Sequence, residues 1–176
     1  DNKKIASISE EYGAEVPFLR PPHLAKDETP GIDPVLHVIS EISGYEWVLL
    51  LQPTSPLRDD EDINNMIEFS KTKISPSFVS ITNKSIDPAN IFYLKNDFFI
   101  SHFLKNDKYL KSIGKDDVFI LNGAMYLSKI NYLLKKKSFV TNETIGYVMS
   151  SKKSIDIDNE IDWEIATFLK NNSNEK

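Results

Sequence analysis

No cysteine occurs in the 176 residues. That excludes disulfides, thiol nucleophiles and thiolate metal sites, and it fits a reducing, cytoplasmic setting. No apolar run approaches the ~20 residues of a membrane span, and no stretch of the chain has the pattern of a secretory signal; no membrane partner is expected. A basic excess is also missing, since 21 Lys and Arg stand against 26 Asp and Glu, a formal net charge of -5. Nucleic-acid binders usually carry the opposite footprint, so no nucleic-acid partner is expected either. The compact basic cluster Lys135-Lys136-Lys137 reads as a solvated helix end. Internal repeats and low-complexity tracts are absent. What is present, 40% hydrophobic and 27% charged residues, is the composition of an ordinary folded domain with one core. The chain opens on Asp1 directly into a helical pattern, as the remainder of a longer protein would.

Periodicity divides the first half into alternating elements. Lys3–Tyr12 reads as a helix with Ile5, Ile8 and Tyr12 on one face and Gly13 past its end. Glu15–Leu19 reads as a short strand and 20–32 as a loop. Asp33-Pro34 has the form of an N-cap followed by proline at the first helical position, opening a helix with Val35, Ile39 and Ile42 inward. Trp47–Leu51 is a strand of the kind buried on both faces of a parallel sheet. Asp59, Asp60 and Asp62 charge the start of the next helix, and Phe78–Thr82 is a further strand. Strands alternating with helices mean an α/β fold with a mostly parallel sheet and covering helices in three layers.

The pattern changes after Lys84. Residues 91–94 and 98–100 flank Lys95-Asn96-Asp97 as a hairpin, and residues 85–120 form an insertion rich in aromatics (Phe92, Tyr93, Phe98, Phe99, Phe103, Tyr109). These residues fill either a small satellite core or a subunit interface. Extended segments 118–121 and 124–127 then surround Asn122-Gly123, a tight-turn signal. A short helix to Lys136, a strand at 146–150 and a last amphipathic helix through Ile161, Ile165, Phe168 and Leu169, capped by Asp158 or Asn159, complete the chain.

Four stretches carry polar groups in places where chemistry occurs. Gln52, Thr54, Ser55 and Arg58 follow the apolar run Val48–Leu51, with Pro53 and Pro56 forcing extended or turn backbone before them. They therefore lie past the carboxyl end of a central strand, where open α/β sheets bind ligands. In Asp156-Ile157-Asp158, extended backbone turns both carboxylates to one side. Two hard oxygen ligands suit Mg²⁺, although Asp158, Asn159, Glu160 and Asp162 equally suit a helix N-terminus. Around Arg20 an Arg-Pro-Pro loop by itself reads as surface, and His23 as a loop histidine. Asn122-Gly123-Ala124-Met125-Tyr126 is by itself a turn.

In combination these stretches are specific. The run Leu49–Arg58 resembles the LLLQPTSPLR segment of the acylneuraminate (sialic acid) cytidylyltransferases, enzymes that join CTP to an acidic sugar and release pyrophosphate. Leu19–Asp27 is similar to that family's RPxxLAxD segment, Asn122–Tyr126 to its NGA(I/M)Y segment, and Ser154–Trp163 to its near-C-terminal DIDxxxD run. The motifs occur in the family's order, and the resemblance extends from the first helix to Trp163. It implies a nucleotide-diphospho-sugar transferase fold with 85–120 as a dimerisation arm, and hence a homodimer. It implies CTP and an acidic sugar as partners and Mg²⁺ as the metal on Asp156 and Asp158, the catalytic pair. Arg20 and Thr29 would take the nucleotide. Gln52, Asn122 and Tyr126, with Phe139 as an aromatic wall or else as core, would take the sugar.

Two departures qualify the resemblance. The family's opening strand and its Gly-, Arg- and Lys-rich triphosphate loop have no counterpart in this chain, so these residues alone are expected to be inactive. The family's arginine clamp for the sugar carboxylate is replaced by Lys111-Ser112-Ile113 and by Ile120, with Lys111 or Lys115 as substitutes. Loss of bidentate arginine recognition points to an altered sugar preference. The alternatives are a nucleotidyltransferase for another sugar acid and a non-catalytic binding or assembly module of the same fold.

Overall fold

A computed structural model describes residues 1–87, 90–94, 100–102 and 114–172. Its elements are α1 (Lys3–Glu11), α2 (Ile32–Glu41), β1 (Trp47–Leu51), α3 (Asp60–Lys71), β2 (Ser77–Asn83), β3 (Phe92–Leu94), β4 (Ile100–His102), β5 (Phe119–Lys129), α4 (Ile130–Lys136), β6 (Thr144–Val148) and α5 (Glu160–Asn172). Packing divides them into two units: Asp1–Val48 with Lys129–Ser138, and Leu49–Ser128 with Phe139–Lys176.

The α/β class holds. The sheet itself is mixed, in the order β1-β5-β2-β6. β2 runs parallel to β6 and antiparallel to β5. β3 and β4 pair as the expected hairpin, Phe92 opposite His102. Its expected turn at 95–97, together with Phe98, Phe99, Phe103, Tyr109 and Lys111–Ile113, lies outside the described residues. β1 is half-buried along its whole length, not enclosed on both faces.

In the first unit, Asn2 caps α1 by accepting from the Lys4 and Ile5 amides. The core there is formed by Val35 and Leu133, and the Phe18 ring meets His37 edge-on at 5.4 Å. Several expectations shift. α1 buries none of its residues, so Ile5, Ile8 and Tyr12 remain exposed; a helical pattern says which face can be buried but does not supply the surface that buries it. No strand forms at 15–19 among the described residues, where Pro17 would remove a ladder donor. α2 begins at Ile32 with Gly31 as its N-cap, placing Asp33 inside the first turn, where its charge still favours the dipole.

In the second unit the core is Met66, Phe78, Val79, Ala124, Met125, Leu127, Phe139, Met149 and Ala166. Phe69 extends it by meeting Phe78 and Tyr147 at 6.2 and 5.6 Å. α3 starts in a reciprocal capping box: the Asp62 amide donates to Asp59 Oδ1 and the Asp59 amide to Asp62 Oδ2. α5 docks through Ala166, while Ile161, Ile165 and Phe168, expected inward, face out. The small Ala166 permits a close approach on the opposite stripe, which decides the helix's rotation. Asn122-Gly123 is not a hairpin turn. β5 runs continuously through it as a bulge, with residues 122–125 standing opposite the single Ser80 of β2.

Candidate active site

The site lies in the second unit, where the segment after β1 meets the β5 bulge and the stretch before α5. Pro53 and Pro56 break the chain after β1, and the Ser55 amide closes a turn on Gln52 O at 3.3 Å. Arg58 fastens this loop from below. Its Nη1 donates to Gln52 O at 3.2 Å and to Ala124 O at 2.7 Å, joining the end of β1 to β5 just beyond Gly123. Burial lowers the Arg58 pKa, and the Asp62 carboxylate offsets part of that; a guanidinium so placed stays charged. The Ile157 amide donates to Thr54 O at 2.8 Å, so the acidic stretch is stitched to the same loop.

Gly123 is the centre of the arrangement. Its φ of +75° favours glycine. A Cβ there would lie 2.6 Å from Asp156 Oδ2 and 3.1 Å from Gln52 Oε1. The two predicted side chains thus converge on a space only a glycine leaves open. Asp156 Oδ1 is buried without a hydrogen-bond partner. Asp158, two residues on, is exposed. Its amide, like that of Asn159, donates to Asp162 Oδ2 at 3.1 Å, while Asn159 Oδ1 accepts from the Ile161 and Asp162 amides as the cap of α5. Asp162 therefore serves the helix, leaving Asp156 and Asp158 as the acidic pair. No cluster of three or more metal-ligating side chains occurs among the described residues. An orphaned carboxylate oxygen two residues before an exposed acid suits Mg²⁺, which keeps several waters and takes one or two protein acids.

The other predicted residues are placed as follows. Tyr126 is half-buried on β5, and its ring packs at 5.4 Å against Phe139. Burial and then the charge of Asp156 raise its phenol pKa, so Tyr126 is protonated at neutral pH. Phe139 is 8% exposed and belongs to the core; it supports Tyr126 from behind. Asn122 is buried with its amide fully engaged inside the protein: Oδ1 accepts from Ser80 Oγ at 2.6 Å and the Ala124 amide at 3.2 Å, and Nδ2 donates to Ser154 Oγ at 2.8 Å and towards Met149 Sδ at 3.4 Å. It shapes the bulge instead of offering a free polar group. In the first unit, Arg20 is exposed and pairs with Asp1 at 3.2 Å, while the Thr29 hydroxyl donates to His23 O at 3.3 Å within its own loop. Ser80 and Ser154 were not singled out by motif reasoning. The available signal was a small polar residue inside the apolar strand Phe78–Ile81.

No protein-family profile matches the chain. The chain is 30% identical over 177 residues to the CMP-N,N'-diacetyllegionaminic acid synthase of Legionella pneumophila, covering 96% of this chain and 75% of that protein. It is 31% identical to the Campylobacter jejuni protein of the same name, covering 74% of it. Identity to the N-acylneuraminate cytidylyltransferase of Escherichia coli is 29% over 99% of this chain. The chain spans 41% of that longer relative. Among solved structures, 4-diphosphocytidyl-2C-methyl-D-erythritol synthase from Anaerococcus prevotii matches with a TM-score of 0.63 at 12% identity, over 96% of this chain and 76% of that one. That likeness concerns the fold alone. By its identity to relatives of which it covers about three quarters, the chain belongs to the acylneuraminate cytidylyltransferase family.

Proposed function

We propose that this chain provides the metal- and sugar-facing part of a site that transfers CMP from CTP to a nonulosonic (sialic-type) acid. The observation that carries the reading is the convergence of Asp156, Gln52 and Gly123 past the carboxyl end of β1, with one buried Asp156 oxygen left unpartnered. In the reaction the sugar's anomeric hydroxyl attacks the α-phosphate, the Pα–O bond to the leaving pyrophosphate breaks, and the hydroxyl proton is released. Asp156 and Asp158 would hold Mg²⁺, which when bound neutralises charge on the phosphates. Gln52 offers an amide to the sugar's hydroxyls. Tyr126, protonated, offers a donor on the same strand as Gly123. Arg20 and Thr29 are assigned to the nucleotide. Catalysis by such a set is positioning and electrostatics.

The relatives' names support the substrate class, a legionaminic acid in two cases. With Ile120 where the family carries an arginine, the carboxylate clamp differs, and we assign the acceptor to a nonulosonic acid other than N-acetylneuraminate. We assign residues 85–120 as a dimerisation arm in a homodimer of the cytoplasm. The test is pyrophosphate release by the full-length protein with CTP, Mg²⁺ and a panel of sugar acids. Release with one acid, abolished by Asp156→Asn, is the expected result; no release with any acid overturns the reading.

A further inference from the structure

A buried line of side-chain hydrogen bonds runs through Ser80, Asn122 and Ser154. Ser80 Oγ donates to Asn122 Oδ1 at 2.6 Å and accepts from the Met125 amide at 2.8 Å. Asn122 Nδ2 donates to Ser154 Oγ at 2.8 Å, and Ser154 Oγ donates to Ser150 O at 2.7 Å. Ser80 is 1%, Asn122 3% and Ser154 4% exposed. The Ser154 hydroxyl donates once and accepts once, while the single Ser80 proton faces Asn122 Oδ1 at 2.6 Å with Met125 O as a longer second acceptor at 3.2 Å. The line links three elements: β2 through Ser80, the β5 bulge through Asn122, and the acidic stretch through Ser154, two residues before Asp156.

From this geometry we infer that Ser80 and Ser154 are positioning residues for the acidic pair, acting through Asn122; the inference rests on the reading of the site given above. A bulge lacks ladder hydrogen bonds to fix it, and here the Asn122 side chain supplies them from both sides. Fixing the bulge fixes Gly123, against which the Asp156 carboxylate lies with room for no further atom. Fixing Ser154 fixes the backbone that carries Asp156. The clamp holds the carboxylate in place from behind, so no protein donor has to touch Oδ1, and that oxygen stays available. Groups that orient a ligating carboxylate in this way typically matter 10–100-fold in metal affinity or activity.

The decisive variant is Ser80→Ala in the full-length protein, because Ser80 is remote in sequence from Asp156 and touches it only through the chain of bonds. The ¹³C resonance of the Asp156 carboxyl and the amide resonance of Gly123 are expected to shift, and Mn²⁺ affinity measured by EPR to fall about ten-fold. Ser154→Ala, the same truncation at the other end, is expected to do the same, and Ser154→Thr, which keeps the hydroxyl, to restore it. Unmoved Asp156 and Gly123 resonances in a folded alanine variant overturn the proposal, even where melting temperature falls. The two readings fail separately: shifted resonances in a protein that transfers no CMP would refute the enzyme and leave the clamp standing, whereas unmoved resonances in an active enzyme would refute the clamp alone.

Discussion

Asp156 Oδ1 is buried with no donor, an arrangement that costs on the order of 1–3 kcal/mol or more for a charged group. Folds keep such an atom where something other than the protein completes it. Asp156→Asn keeps the shape and removes the charge, so the variant is expected to be as stable as the parent or more so while losing at least about 100-fold in pyrophosphate release; parallel urea unfolding and activity assays check both halves. Gln52 acts on a different ligand. Gln52→Ala is expected to raise the KM for the sugar about ten-fold and to leave the KM for CTP within about two-fold, since a lost side-chain hydrogen bond is worth roughly 1 kcal/mol or somewhat more. Equal loss of both would remove Gln52 from the sugar side. Of these residues, Gln52 is legible at a strand end because prolines follow the apolar run of β1, whereas the reading of Asp156 comes chiefly from the family resemblance of its acidic run. The engagement of Asn122 was not legible: an amide reads the same whether its partners are a sugar or two serines.

Among elements, β5 does most to form the site. Its bulge lifts Gly123 towards Asp156 and Gln52, and a left-handed backbone is needed there. Gly123→Ala combines a left-handed penalty of about 1–2 kcal/mol with displacement of the Asp156 carboxylate. It is expected to lower both unfolding free energy and turnover, whereas Gly44→Ala, at φ +91° with nothing near its would-be Cβ, is expected to cost stability by a similar amount and leave turnover unchanged. Sequence periodicity located β5 but split it in two, since Asn-Gly is a hairpin signal whenever two flanking strands can pair with each other. Here both flanks pair with β2 instead. The same limit applies to α5, whose pattern offered Ile161, Ile165 and Phe168 for burial while packing selected Ala166.

At the scale of the whole molecule, one charged junction contributes a pH-dependent part of stability. Lys153 Nζ contacts Asp59 Oδ2 at 2.7 Å and Asp62 Oδ2 at 3.1 Å, tying the segment before the acidic stretch to the start of α3. The hydrogen bond from Lys153 lowers the Asp59 pKa to about 2, and the same contact raises that of Lys153. A carboxylate depressed by folding contributes stability above its unfolded pKa near 4 and loses it as pH falls to about 2. The lysine's share is present below about 10.5 and is lost as pH rises through its higher folded value. Because Lys153 and Asp59 are partly exposed to solvent and screened by it, Lys153→Met is expected to cost about 1 kcal/mol at neutral pH. That difference is expected to shrink between about pH 4 and pH 2 in urea unfolding curves; a pH-independent difference would mean lost packing instead.

Local sequence was enough for the class of fold, the strand end that carries Gln52, the capping acids of α3 and the start of α5. Each depends on neighbours a few residues away, through period, proline stiffness and helix dipoles. Only the tertiary structure decided that the sheet is mixed, that α5 turns its large apolar residues outward, and that Asn122-Gly123 is a bulge held by Ser80 and Ser154. Those outcomes depend on which strand lies beside which and on where a glycine's missing Cβ admits a carboxylate, contacts between residues far apart in the chain that no local pattern encodes.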